Sequence, residues 1–190
     1  MEEQSAREIQ GELGLGERLL WAGQPRPGVL FRRSDFLMIP MGCFFLAFSL
    51  FWELNALQIP VGNAGQIFPI FGIPFILVGL YLVVGRFFLD AALRKNTFYG
   101  LSNERIILLT RFFGKRLTSL PLERLDEIEL EENADGCGSV RFGKANPLLN
   151  LYEGTPWPGM ASRVNRFVLI EGAKGVHQQI VDALKRLRGA

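Results

Sequence analysis

The run with the most chemical promise is GSVRFGKA, Gly138–Ala145, which falls one residue short of the phosphate-cradling pattern G-x-x-x-x-G-K-[ST]. That pattern needs a glycine loop between a buried strand and a helix, with a hydroxyl at its end to ligate magnesium. Here the last position is Ala145, Val140-Arg141-Phe142 alternates as a strand does, and Asn146-Pro147 blocks a helix. A nucleotide site is not expected. His177 is the single histidine, and Cys43 and Cys137 stand far apart, so no metal-ligand spacing can be assembled and no disulfide framework is implied. No serine lies in a nucleophile elbow, and His177 reads as a solvent-facing helix residue. The acids between Glu123 and Asp135 alternate with Ile128 and Leu130, the pattern of a wet strand face set against Arg141 rather than of a cation site. Neither a catalytic residue, a cofactor nor a metal is expected, and the chain reads as a non-enzyme. The best candidate contact is cationic: Arg111, Lys115 and Arg116 around a turn at Phe113-Gly114, for an anion, a lipid headgroup or a protein partner.

Two long apolar runs must position these residues. Phe36–Leu57 carries one charge, Glu53, and Ile67–Phe88 is uncharged until Arg86. A helix of this length spans about 33 Å, enough for a hydrocarbon core of about 30 Å. Both are apolar on every face, which a small soluble fold could not cover. The expected division is a cytosolic segment over residues 1–35, a first span at 36–57, an outer connector at 58–66, a second span at 67–90 and a soluble domain at 96–190. Arg7, Arg18, Arg26, Arg32 and Arg33 precede the first span, and Arg86, Arg94 and Lys95 end the second. None of the 21 basic residues falls between Ser34 and Gly85. The positive-inside rule then puts both termini in the cytosol and the connector outside, in a plasma membrane. The first residues form no signal-peptide core, and the net charge of +2 does not suit a dedicated nucleic-acid binder.

Within the spans, Gly42 and Ser49, and Gly72 and Gly79, are seven residues apart and share a face. Packing of the two helices on each other is the simpler use of that face, and a homo-oligomer the other. Pro74 should bend the second helix or loosen its first turns. Glu53 lies near the outer end beside Trp52 and should be solvated at the interface.

After Asn96 the pattern changes to short alternating runs. Strands are expected at Thr97–Leu101, Arg105–Phe112, Lys115–Leu120, Asp126–Glu132, Gly138–Phe142 and Arg166–Ile170, with hairpin turns at Phe113-Gly114 and Asp135-Gly136. Asn146–Ser162 reads as a long loop. Beyond Gly172, the residues Val176, Ile180, Leu184 and Leu187 follow helical spacing. The fold class is therefore a membrane α-helical hairpin plus a small α+β domain, and Asn96–Ala190 is expected to fold on its own.

The order of GERLLWAGQP (Gly16–Pro25), two apolar spans, TFYGLSNERIILL (Thr97–Leu109), SLPLERLDEIEL (Ser119–Leu130) and GCGSVRFG (Gly136–Gly143) resembles bacterial membrane proteins with a pleckstrin-homology-like (PH-like) domain. The resemblance implies an antiparallel β-roll of seven strands capped by a C-terminal α-helix. Its seventh strand would come from Leu148–Tyr152. Phosphoinositide-binding members use basic residues near the first hairpin, where Arg111, Lys115 and Arg116 stand. Bacterial relatives lack a general phosphoinositide role, so the resemblance favours an unidentified protein partner at the inner leaflet. The rival expectation is a lipid-sensing or transport-accessory protein that acts through its hairpin.

Overall fold

The computed structural model describes residues 2–31, 35–58, 67–125, 127–132, 136–143 and 166–189. The elements run α1 (Glu2–Gln10), β1 (Leu19–Gly23), α2 (Asp35–Ala56), α3 (Ile67–Leu80), a π turn (Tyr81–Gly85) and α4 (Arg86–Lys95). Then follow β2 (Thr97–Ser102), β3 (Arg105–Arg111), β4 (Lys115–Pro121), a 3-10 turn (Leu122–Arg124), β5 (Ile128–Glu132), β6 (Cys137–Phe142), β7 (Arg166–Glu171) and α5 (Ala173–Arg188).

The strands form two antiparallel sheets, ordered β1-β2-β3-β4 and β5-β6-β7. Tyr99, Leu101, Ile106, Val140, Phe142, Phe167 and Ile170 fill the space between them, and α5 closes it with Val176, Ile180, Ala183 and Leu184. The opposite face of β2 and β3 is also dry: Phe98, Ile107 and Leu109 pack under Ile9 of α1. Burial on both sides explains why IILL in β3 is apolar without alternation.

One expectation is corrected here. The first sheet takes its edge strand from residues before the hairpin, because Leu19, Trp21, Ala22 and Gly23 pair with Ser102, Leu101, Gly100 and Tyr99. Residues 1–35 are thus not merely a leading segment, and 96–190 lacks β1 and α1. The alternative strand at Leu148–Tyr152, the loop at Asn146–Ser162, Asp135 and most of the connector lie outside the described residues.

Both apolar helices are long and apolar enough to cross a membrane, with mean hydropathies of 1.8 and 2.1. Only 11% and 17% of their apolar windows are buried, unlike a soluble core helix. They pack along a seven-residue seam. The buried positions of α2 are Asp35, Gly42, Ser49 and Ala56, facing buried Gly72, Gly79 and Arg86. A repeat of seven favours a shallow left-handed crossing. A Cβ on Gly79 would stand 2.9 Å from Leu46 Cα, so the backbones nearly touch. The small residues are therefore used within the chain. Pro74 lies inside α3, which continues past it to Leu80, and the irregular turn falls later, at Tyr81–Gly85. Helix α4 runs on to Lys95, where the Asn96 and Thr97 side chains donate to the carbonyls of Ala92 and Leu93 at 2.8 Å each. Asn96 alone joins helix to strand.

Candidate functional site

Three polar constellations stand out among the described residues. The first ties β1 to β2 and β3. Glu17, its side chain 2% exposed, accepts Arg105 Nε at 2.9 Å and Arg105 Nη2 at 2.8 Å, and also the Ser102 hydroxyl at 2.6 Å and the Gly14 amide at 2.7 Å. The Arg105 hydrogen bonds hold the Glu17 carboxyl down at about 2, against the opposing effect of burial. Glu17 in turn raises the Arg105 pKa. These residues belong to the GERLLW and LSNERI runs, so both runs have a structural use.

The second constellation is the base of the hairpin. Buried Arg94 donates to the carbonyls of Arg26 and Gly28 at 2.9 and 2.6 Å and pairs with Asp90 at 3.1 Å. Asp35 and Arg86, at the end of the helical seam nearest the domain, form a buried ion pair at 2.9 Å. The Arg26 amide donates to the Leu169 carbonyl at 2.8 Å. Leu169 has φ +52°, the only positive φ of a non-glycine among the described residues, at a bulge where β7 shifts register against β6. Beside it a cleft of about 390 Å³ opens between Trp21, Pro25, Arg26, Ile170 and Glu171.

The third is the expected cationic turn. Arg111 pairs with Glu8 at 2.5 Å and lies 3.7 Å from Glu12, and Lys115 pairs with Glu12 at 2.6 Å. Glu8 comes from α1 and Glu12 from the turn just after it, and Ile9 of α1 packs over Gly100. Two of the three cations are thus already matched, and Arg116 is exposed. Of the candidate contact residues Arg111, Lys115 and Arg116, the first two thus already hold carboxylate partners within the chain. Gly114 has φ +121°, which the tight turn requires of a residue without Cβ, and Phe113 beside it is 89% exposed.

The remaining candidates fall apart in space. Gly138–Phe142 is strand β6, as alternation implied, while Lys144 and Ala145 lie outside the described residues. Arg141 faces Glu129 at 3.4 Å and Glu131 at 3.8 Å. His177 is half-buried on α5, Cys43 is exposed on α2 and Cys137 is buried with the Arg26 guanidinium 3.6 Å from its sulfur. No group of three or more potential metal ligands exists among the described residues. Tyr99 is pushed up to about 12 by burial, and its hydroxyl accepts the Val168 amide at 3.3 Å. Glu53 lies against Gly72, with its Oε2 buried and lacking a partner among the described residues, rather than openly solvated.

The model of the family described as "Bacterial PH domain" matches residues 46–167, more than half of the chain. The chain belongs to that family. The match begins inside α2 and ends in β7, so it spans β2 to β6. Two sheets of four and three strands with a closing C-terminal helix are consistent with a PH-like fold. Neither the curated proteins nor the solved structures include a significant match to the chain.

Proposed function

We propose that the chain is a non-enzymatic, membrane-anchored interaction module of the plasma membrane, whose PH-like domain docks a protein partner at the inner leaflet. The observation that carries this reading is the place of the hairpin. It is inserted between β1 and β2, hydrogen-bonded neighbours of one sheet. Arg94 and the single residue Asn96 then hold the domain rigidly against the hairpin's base. Two exposed apolar helices with such a base suit an anchor that presents a binding domain at fixed height and orientation. Membership of a PH-domain family supports binding as the role, and the neutralised cationic turn favours a protein over an anionic headgroup. Strand β4 is an edge of its sheet and carries exposed Leu117, which offers a face for that partner.

A second reading has one observation in its favour. An apolar groove of about 270 Å³ lined by Phe45, Ser49, Trp52, Phe71 and Phe75 runs along the hairpin, where a lipid chain could lie. A photoreactive side chain at Leu117, and separately at Phe75, distinguishes the two in native membranes. A discrete protein adduct at Leu117 is the expected result. Lipid adducts at Phe75 together with none to protein at Leu117 would overturn protein docking in favour of lipid sensing.

A further inference from the structure

We propose that the β3–β4 tip, Phe112-Phe113-Gly114, docks on the bilayer that holds the hairpin, with Phe113 seated in the headgroup layer as an apolar wedge. The inference rests on the membrane reading of the hairpin and goes beyond it, since an anchored domain need not touch lipid.

Strand pairing places the tip. Thr97, the first residue of β2, pairs with Thr110, and Arg111 pairs with Lys115 across the turn. The Arg111 amide donates to the Asn96 carbonyl at 2.8 Å, which fixes the base of the turn beside the last residue after α4. The tip therefore lies at the end of the domain where the hairpin enters, not at the Ser102 end. Helix α4 rises about 12 Å from Phe88 to Asn96. From Arg111, the turn residues Phe112 and Phe113 reach up to about 7 Å back toward the membrane. Phe88, 66% exposed at the end of the second apolar run, marks the hydrocarbon boundary. Phe113 then stands about 5 Å beyond that level, inside a headgroup layer about 5–7 Å deep on each side.

Chemistry selects the occupant. Phe113 is 89% exposed and stacks edge-on with Phe112 at 4.6 Å, giving a projecting aromatic pair in place of the polar residues usual at a turn. Aromatic rings favour the membrane–water interface. The neighbouring cations Arg111 and Lys115 are paired with Glu8 and Glu12, so the contact is apolar first and electrostatic second. Exposed Lys95 and Arg116 complement anionic headgroups at its margin. Contact at the tip and at α4 would fix the domain's tilt and keep the β4 edge clear of the lipid.

The test uses the full chain in phosphatidylethanolamine–phosphatidylglycerol vesicles, with Cys43→Ala and a polarity-sensitive fluorophore on one introduced cysteine. Three positions are compared: Phe113→Cys, Phe88→Cys at the hairpin and Leu15→Cys. Leu15 is fully exposed and precedes β1, whose first residue pairs with Ser102 at the far end of the sheet. The expected result is blue-shifted emission at 113 and at 88, both quenched by a headgroup-level lipid quencher, with water-like, unquenched emission at 15. Raising the salt leaves the signal at 113 unchanged. Quenching at 88 but not at 113 overturns the wedge and leaves the anchor standing. Absence of quenching at 88 removes the anchor itself and the wedge with it. Blue-shifted emission at 113 that lipid quenchers do not reach, and that grows with protein density, would assign the tip to a second copy of the chain. Quenching at 113 that disappears at high salt would assign it to the cations. Either result overturns the apolar wedge.

Discussion

Glu17 is a carboxylate almost without water, held by four hydrogen bonds, and its acid behaviour follows from them. Its folded pKa of about 2 lies below the ordinary 4.5. The stabilisation is therefore fully present above 4.5 and is lost as pH falls toward 2. The difference corresponds to about 3 kcal/mol, in the range for breaking a buried pair by removing one partner. Glu17→Gln should lower the urea-unfolding free energy of the detergent-held chain by about 3 kcal/mol at neutral pH, read from Trp21 emission. It should also flatten the decline between about pH 5 and pH 2. An unchanged midpoint with an unchanged acid slope would mean the cluster is incidental. Both partners sit in runs that are conspicuous in the sequence, yet their pairing joins residues on either side of the hairpin, and no local pattern encodes that. The same blindness affected Arg111, Lys115 and Arg116. Their turn was legible from Phe113-Gly114, but the carboxylates paired with Arg111 and Lys115, Glu8 of α1 and Glu12 just after it, come from far earlier in the chain.

At the scale of elements, short apolar or alternating runs broken by turn residues located β2 to β7 to within a residue or two, because a strand must have at least one dry face. Strand β1 was not legible: LLWAG is short, carries no alternation and is separated from its partner by both apolar helices. Its absence from residues 96–190 has a consequence. That segment alone should not form a stable domain, because removing α1 and β1 uncovers Phe98, Ile107 and Leu109. Joining Gly28 to Arg94 through about five Gly/Ser residues should restore a soluble, folded domain, since flexible linkers of about that length reach about 12 Å. The Arg94 guanidinium and the Gly28 carbonyl are only 2.6 Å apart. Circular dichroism and cooperative melting of the two proteins would decide it, and an equally stable 96–190 would count against β1. In the joined domain, changing both Ile180 and Leu184 to Ala should remove about 4–10 kcal/mol, enough to unfold a domain of about 5–15 kcal/mol. A retained melting transition would mean α5 does not close the roll.

The whole molecule joins two exposed apolar helices to a β-roll, and the sheet dictates how they join. Because β1 and β2 are neighbours, both ends of the hairpin return to one body and must lie on the same side of any membrane the hairpin enters. The basic flanks make the cytosolic side the proposed one. The Asp35–Arg86 pair lies at the end of the seam nearest the domain. Sequence alone indicated two apolar helices and the sign of their flanks, whereas the joint at Arg94 depends on the carbonyls of Arg26 and Gly28, distant in the chain. The most direct test of the account is therefore topological. In a Cys43→Ala background with buried Cys137 retained, one cysteine is placed at Asn63 in the connector. Another replaces Glu123, which is exposed beside β4. Intact cells are treated with a membrane-impermeant thiol reagent. Labelling at Asn63→Cys, with Glu123→Cys reacting only after lysis, is the predicted result; labelling at Glu123→Cys in intact cells would contradict the account.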